Sequence, residues 1–130
     1  MTSAPDTLIR DVTIDADRVV TFMGPDLRVY GTPFMLADAE MACRDLLLAH
    51  LGEGVDSVGV GVQLQHSGAA IEGDTVRVHT RLKSFDGRKA DFQVEVFRGD
   101  ALIGSVGHQR AAVPLDMLRK RVASLVPGKA

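Results

Sequence analysis

Three side chains, those of Thr32, Glu40 and His66, are of types that carry out acid–base or nucleophilic chemistry. Glu40 lies within an apolar run of the chain, where partial burial makes a carboxylate more basic and favours a general base or a nucleophile. An ordinary salt bridge to Arg44, one helical turn further on, is the alternative interpretation. The spacing alone leaves both interpretations open.

His66 and Thr32 each have a structural and a chemical interpretation. His66 ends a strand in phase with Leu64, so its ring should face inward, where it either fills the rim of the core or orients a carboxylate. Thr32 stands directly before Pro33, which favours a helix N-cap followed by the first helical residue. The Thr32 hydroxyl would then also lie beside free backbone N–H groups that can stabilise an oxyanion.

One long helix should position Glu40. Residues 34–51 combine strong helix formers with no internal Gly or Pro, and Gly52 follows where a helix commonly ends. The helix is apolar nearly all round, so most of it should be buried. Its expected solvent-exposed stripe consists of Asp38, Met41 and Asp45.

After this helix the hydrophobic period changes from 3.6 to 2, which predicts antiparallel strands. In the first of them, residues 58–66, Gly59 is expected on the outward face, either for packing or because a ligand approaches the backbone there. The side chains expected to face inward are Val58, Val60, Val62, Leu64 and His66.

The next two strands alternate apolar and charged residues around a turn at Asp86-Gly87. A strict two-residue loop would pair an apolar face with a charged one, so the hairpin needs a loop of odd length or a bulge. Strands at 8–14 and 101–113 and a helix at 114–126 complete the chain. We expect an α+β fold in a single domain spanning residues 1–130, with residues 1–6 disordered.

Composition excludes several functional classes. Fifteen Lys and Arg against 17 Asp and Glu, no Trp and one Tyr argue against nucleic-acid binding. A single cysteine, Cys43, excludes an intrachain disulfide, and the sequence has no metal-ligand cluster, phosphate loop or dinucleotide fingerprint, so we expect no metal and no cofactor. The absence of a signal-peptide pattern and of a long apolar run predicts a cytoplasmic protein without a membrane partner.

Taken together, Thr32, Glu40, Gly59 and His66, with the segments SVGVGVQLQHSGAAIEGDTVRVHTRLKS and GSVGHQRA, resemble the hotdog-fold thioesterases of the fluoroacetyl-CoA thioesterase family. The resemblance covers most of the chain. It implies a curved antiparallel sheet wrapped around one long helix, and a homodimer whose sheets join edge to edge. It also implies that Thr32, Glu40 and His66 form the catalytic group, that the Gly59 amide lies near the thioester carbonyl, and that Arg110 lies in or near the site.

The resemblance predicts hydrolysis of a small acyl-CoA thioester to free acid and CoA. A phenylalanine-bearing lid precedes the threonine in the family's fluoroacetyl-selective enzyme, whereas residues 24–30 of this chain contain no phenylalanine. We therefore expect no strong preference for fluoroacetyl, with Tyr30 as a partial substitute for the lid. Two other functions occur on such a fold and remain open: a non-catalytic acyl-CoA binding or sensing module, and a dehydratase or hydratase.

Overall fold

Five antiparallel strands form one sheet, and a single long helix lies against it. The computed structural model describes residues 4–128. The strands follow one another across the sheet in the order β1-β3-β4-β5-β2. The elements are β1 (Thr7–Thr13), a short 3-10 helix (Ala16–Arg18), α1 (Thr32–Leu48), β2 (Val55–His66), β3 (Thr75–Phe85), β4 (Lys89–Arg98), β5 (Ala101–Pro114) and α2 (Leu115–Leu125). The predicted α+β class, with a curved antiparallel sheet around one long helix, is confirmed.

The core lies between α1 and the inward face of the sheet. On β3 and β4 the apolar residues of the alternating pattern are buried, as predicted, and the charged residues between them point outward. The expected hairpin bulge is present, since the register shifts between Leu82 and Ser84 and thereby pairs Leu82 with Phe92. The buried residues of α1 are Met35, Ala39, Ala42, Cys43, Leu46 and Leu47.

The helix α1 begins and ends earlier than the predicted range of 34–51. Its N-cap is Gly31, without a side-chain capping bond, so the predicted cap role of Thr32 is wrong: Thr32 is the first helical residue. At the other end, the backbone N–H groups of residues 49–51 bond to carbonyls three residues earlier. This tighter 3-10 pattern ends the α-helix at Leu48 before the chain reaches Gly52.

A second bulge, in β2, changes which side chains face the helix. The register with β5 shifts between Gly59 and Gly61, so one extra residue interrupts the alternation. Gly59 is paired with the buried Arg110 and faces inward, contrary to prediction. Val58 and Val60 are exposed, at 38% and 57%, so their predicted inward orientation is wrong. The residues on the same face as the buried His108 and Arg110 are Ser57, Gly59, Val62, Leu64 and His66, although Val62 is 44% exposed because β2 is an edge strand.

Asp38 anchors the segment that precedes α1. The Tyr30 hydroxyl donates to Asp38 Oδ2 over 2.6 Å, and Arg18 donates to the same carboxylate from Nε and Nη2. Asp38 is therefore not part of a solvent-exposed stripe, because its side chain is only 11% exposed. Tyr30 is buried at 1% exposure, so it cannot serve as the predicted substitute for a lid.

The chain ends differ from the rest of the domain. Disorder was expected for residues 1–6, of which residues 1–3 lie outside the described residues. Pro5 and Asp6 are bonded to the domain: the Pro5 carbonyl bonds to His50 Nε2, and the Asp6 carbonyl accepts from the Leu82 N–H. Helix α2 has no buried residue. None of the helices in the described part of the chain is long and apolar enough to span a bilayer.

We predict that Asp38→Ala lowers the free energy of unfolding by about 2–4 kcal/mol, because it removes the acceptor of the buried Tyr30 hydroxyl and of Arg18. Urea denaturation at one fixed protein concentration measures the change. Asp26→Ala, which truncates an exposed aspartate, is the matched control and should stay within about 0.5 kcal/mol of the unmodified protein. Equal midpoints for both variants would contradict the anchoring role of Asp38.

Candidate active site

Thr32 and His66 form a hydrogen-bonded pair where the start of α1 meets the end of β2. The Thr32 Oγ1 and His66 Nδ1 atoms are 2.7 Å apart. The pair borders an open depression of about 380 Å³, whose other walls come from residues 29–30 and 67–69. The Tyr30 ring meets the His66 ring edge-on, with 6.2 Å between centroids. The predicted contact of His66 with Thr32 is therefore present.

Glu40 of α1 lies beside Gly59 of β2, not beside the end of that strand that holds His66. Its side chain is 39% exposed, and its Oε2 is 3.8 Å from Arg110 Nη1. Glu40 is partly buried and faces β2, as expected, but it is not the only enclosed carboxylate of α1, because the Asp38 side chain is only 11% exposed. The alternative salt bridge to Arg44 is absent, since Arg44 Nη2 bonds instead to Asp56 at 2.6 Å.

Arg110 is a buried guanidinium that faces Glu40. Its Nε donates to Ser57 Oγ over 2.7 Å and its Nη2 to the Ser57 carbonyl over 2.9 Å. Its Nη1 donates to His108 Nε2 over 3.1 Å. Burial lowers the pKa of Arg110, while the nearby Glu40 carboxylate acts in the opposite direction. Arg110 is thus held rigidly and carries a positive charge next to the Glu40 carboxylate.

Gly59 allows these groups to lie close to the strand backbone. A Cβ atom at this position would lie 3.1 Å from His108 Cε1, 3.4 Å from Glu40 Oε2 and 3.6 Å from Arg110 Nη1. Any side chain would therefore crowd His108 beside the carboxylate. Without one, the Gly59 backbone stays exposed, and another group can approach it next to Glu40.

The structure thus brings the five predicted site residues together as two groups. Thr32 and His66 form one, and Gly59, Glu40 and Arg110 form the other. Thr32 and Glu40 are eight residues apart on α1, which separates them by about 12 Å along the helix axis. Because β2 runs alongside α1, both groups lie along the same helix–strand border.

Two neighbours of Arg110, Ser57 and His108, were not identified from the sequence. Both are buried and both bond to its guanidinium. The available signal was the spacing of His108 and Arg110 in a strand, because residues two apart share one face. The pattern of β5 leaves its register ambiguous, so that face could not be assigned to the core.

The described residues offer little other reactive chemistry near Arg110. Burial raises the pKa of the Cys43 thiol to about 12, so this cysteine is a protonated core residue and not a nucleophile. Across residues 4–128, no cluster of three His, Cys, Asp or Glu side chains is placed to bind a metal ion. That the protein works without metal or cofactor stays a prediction.

Comparisons with known proteins agree with this architecture. The chain is 32% identical over 99 residues to a fluoroacetyl-CoA thioesterase of Streptantibioticus cattleyicolor, covering 76% of this chain and 71% of that protein. A solved fluoroacetyl-CoA thioesterase structure superposes with a TM-score of 0.84 at 27% identity, covering 98% of each chain. A hot-dog-like protein from Thermanaerovibrio acidaminovorans shares the fold, with a TM-score of 0.84, 21% identity and coverage of 94% and 91%.

The model of the fluoroacetyl-CoA-specific thioesterase family matches residues 14–116 of this chain. This range contains α1, all of β2 to β5 and every residue of both groups along the helix–strand border. The chain therefore has a hotdog fold and belongs to the fluoroacetyl-CoA-specific thioesterase family.

Proposed function

We propose that this protein hydrolyses small acyl-CoA thioesters to a carboxylic acid and free CoA. The observation that carries the proposal is the exposed backbone of Gly59, beside which lie the Glu40 carboxylate and the buried Arg110 guanidinium. A thioester carbonyl there would meet a proton acceptor or nucleophile together with a hydrogen-bond donor. Hydrolysis of a thioester needs both, because negative charge develops on the carbonyl oxygen as its carbon is attacked.

Glu40 could act in the hydrolysis in either of two ways, as a general base or as a nucleophile. As a general base, it takes a proton from water while the water oxygen attacks the carbonyl carbon and the C–S bond breaks. As a nucleophile, it attacks the carbon itself, releases the CoA thiolate and forms an anhydride that water then opens. In both routes the thiolate leaves as free CoA after protonation, and the Arg110 guanidinium stabilises the oxyanion.

Thr32 and His66 would assist the reaction from the N-terminal end of α1. The His66 ring can donate or accept a hydrogen bond, and its bond to Thr32 fixes the orientation of the threonine hydroxyl. That hydroxyl lies in the first turn of the helix, where the helix dipole favours negative charge. We propose that the pair orients the acyl group or the attacking water.

We further propose that the protein works as a homodimer paired through β2. This strand lies at an edge of the sheet and presents the exposed Val58, Val60 and Val62. An antiparallel two-fold pairing centred between Val62 and Gln63 would set the His66 end of one strand beside Gly59 of the other. The Thr32–His66 pair of one copy would then approach Glu40 of its partner, which closes the separation of about 12 Å found within one chain.

A lysine at the β2 edge should disrupt this dimer, because a charged side chain on an edge strand opposes pairing with a second sheet. We predict that the unmodified protein sediments as a dimer and that Val60→Lys shifts it to monomer with a loss of turnover. Ile9→Lys places the same charge on β1, at the opposite edge of the sheet, and should leave the dimer intact. Sedimentation velocity distinguishes these outcomes, and a monomeric unmodified protein would overturn the proposal.

Replacing Glu40 by glutamine keeps its shape and removes its basicity. We predict that Glu40→Gln lowers kcat about 10²- to 10⁴-fold, the usual contribution of a general base. Asp45→Asn makes the same chemical change on α1 at a carboxylate bound to Arg10, and it should keep kcat within about twofold. An unchanged kcat for Glu40→Gln would show that Glu40 is only the ionic neighbour of Arg110.

The function itself is tested by incubating the protein with a panel of short acyl-CoA thioesters and detecting free thiol. Release of CoA supports the proposal. Saturable binding without release would instead identify an acyl-CoA binding or sensing module, and addition of water to an enoyl-CoA would identify a hydratase. The same panel, run on a single preparation, separates all three.

The segment before α1 predicts weak selectivity for fluoroacetyl. Residues 24–30 contain no phenylalanine, and the Tyr30 hydroxyl in this segment is hydrogen-bonded to Asp38. Phe22 lies outside the segment and is 82% exposed. A formed hydrophobic pocket distinguishes one small substituent by about 1–3 kcal/mol. We therefore predict a ratio of kcat/KM for fluoroacetyl-CoA over acetyl-CoA below about a thousand. A larger ratio would show that selectivity does not require phenylalanine in this segment.

A further inference from the structure

His108 is fully buried beside Gly59 and Arg110, and it does not contact the Thr32–His66 pair. Its residue exposure is 1%, and it bonds through both ring nitrogens. Nδ1 is 2.8 Å from the Gly61 carbonyl oxygen, and Nε2 is 3.1 Å from Arg110 Nη1. A buried histidine with both nitrogens engaged by fixed partners has only a small choice of protonation states.

The partners determine which ring nitrogen carries hydrogen. A guanidinium has only donors, so Arg110 Nη1 must donate and His108 Nε2 must be the unprotonated acceptor. A carbonyl oxygen has only lone pairs, so Nδ1 must carry the hydrogen and donate it to Gly61. His108 is therefore neutral and in the Nδ1–H form, because a second hydrogen on Nε2 would face the Arg110 donor.

We propose that His108 is a positioning residue that holds Arg110 toward Glu40. The inference rests on the proposed function, since it assigns Arg110 and Glu40 to one thioesterase site. Ser57 holds the Nε and Nη2 side of the guanidinium, and His108 holds the Nη1 side. The Nη1 atom is the one that lies 3.8 Å from Glu40 Oε2. Without His108, Arg110 would keep its Ser57 contacts but lose the one that fixes this donor.

The bulge in β2 provides the backbone carbonyl to which His108 bonds on the side away from Arg110. Gly61 is the residue at which the register with β5 resumes after its shift from Gly59. Ladder pairing is interrupted at a bulge, which leaves a backbone carbonyl available to a side chain. The same irregularity thus turns Gly59 toward Glu40 and offers the Gly61 carbonyl to His108.

The surroundings of His108 favour its neutral form. Burial lowers its pKa, and the Arg110 charge acts in the same direction, while the Gly61 carbonyl and the Glu40 carboxylate oppose them. The Phe92 ring of β4 stacks near it, with 6.4 Å between centroids. The other titratable neighbours of Arg110 are Cys43, a protonated thiol, and the Asp56 and Arg44 side chains, which bond to each other.

Three substitutions separate the Arg110 contact from the Gly61 contact. His108→Leu removes both and should lower kcat/KM about 10- to 100-fold, the cost of a misplaced catalytic group. His108→Gln keeps an acceptor at the position of Nε2 and should recover most of that loss, whereas His108→Asn keeps only a donor near Nδ1 and should not. His79→Leu, the same change at a histidine on the outward face of β3, is the control and should leave kcat/KM unchanged.

If His108 acts through Arg110, the losses of kcat/KM caused by substituting the two residues should not add. In an Arg110→Lys background, His108→Leu should cost less than about twofold, because the contact it removes is already gone. A purely structural role for His108 would give the same loss in both backgrounds and a similar loss for His108→Gln. Either result would overturn the proposal, and thermal unfolding of every variant identifies any that fails to fold.

The tautomer can be tested without turnover. Long-range ¹H–¹⁵N spectra of the unmodified protein should show His108 with a protonated Nδ1 and a bare Nε2. An Nε2–H or doubly protonated ring would overturn the inference even if the protein is an active thioesterase. The Nδ1–H form in a protein that releases no CoA would leave the connection to Arg110 standing and reject the proposed function instead.

Discussion

The register shift in β2 is the constraint on which the site depends. Without the extra residue between Gly59 and Gly61, strict alternation would turn Gly59 outward and a bulky valine toward Glu40. The shift instead places the one residue without a side chain opposite a carboxylate and a guanidinium. A single irregularity in the backbone therefore brings the Gly59 backbone next to Glu40, makes the Gly61 carbonyl available to His108 and keeps His66 on the inward face.

Two carboxylates on α1 show how differently similar groups are used. Asp38 is enclosed, and its oxygens accept from Tyr30 and Arg18 at ordinary hydrogen-bond distances. Glu40 is more exposed, and its facing cation is 3.8 Å away, which is too far for a direct hydrogen bond. The first carboxylate is satisfied and structural, whereas the second keeps lone pairs available. A carboxylate that must accept a proton during a reaction has to be of the second kind.

The sequence predicted the features that depend on alternation of apolar and charged residues along a strand. The bulge in the β3–β4 hairpin followed from two strands whose apolar and charged faces cannot be joined by a two-residue turn. The bulge in β2 was missed, because Val58, Val60 and Val62 form an unbroken alternation and the glycines between them do not mark a face. The partners of Asp38 could not be foreseen either, since Arg18 and Tyr30 reach it only through the path of the folded chain.

The segment between Arg18 and Gly31 is tied to the domain at its base and not at its tip. Backbone bonds join Val20 to Val29 and Gly31 to Arg18, and the Asp38 contacts fix both flanks. The tip carries exposed apolar side chains such as Phe22 and Met23. Loops closed in this way tolerate insertions and exchanges, because the change does not spread into the scaffold. The sequence of this tip can therefore diverge while the contacts of Tyr30, Arg18 and Asp38 at its base stay constant.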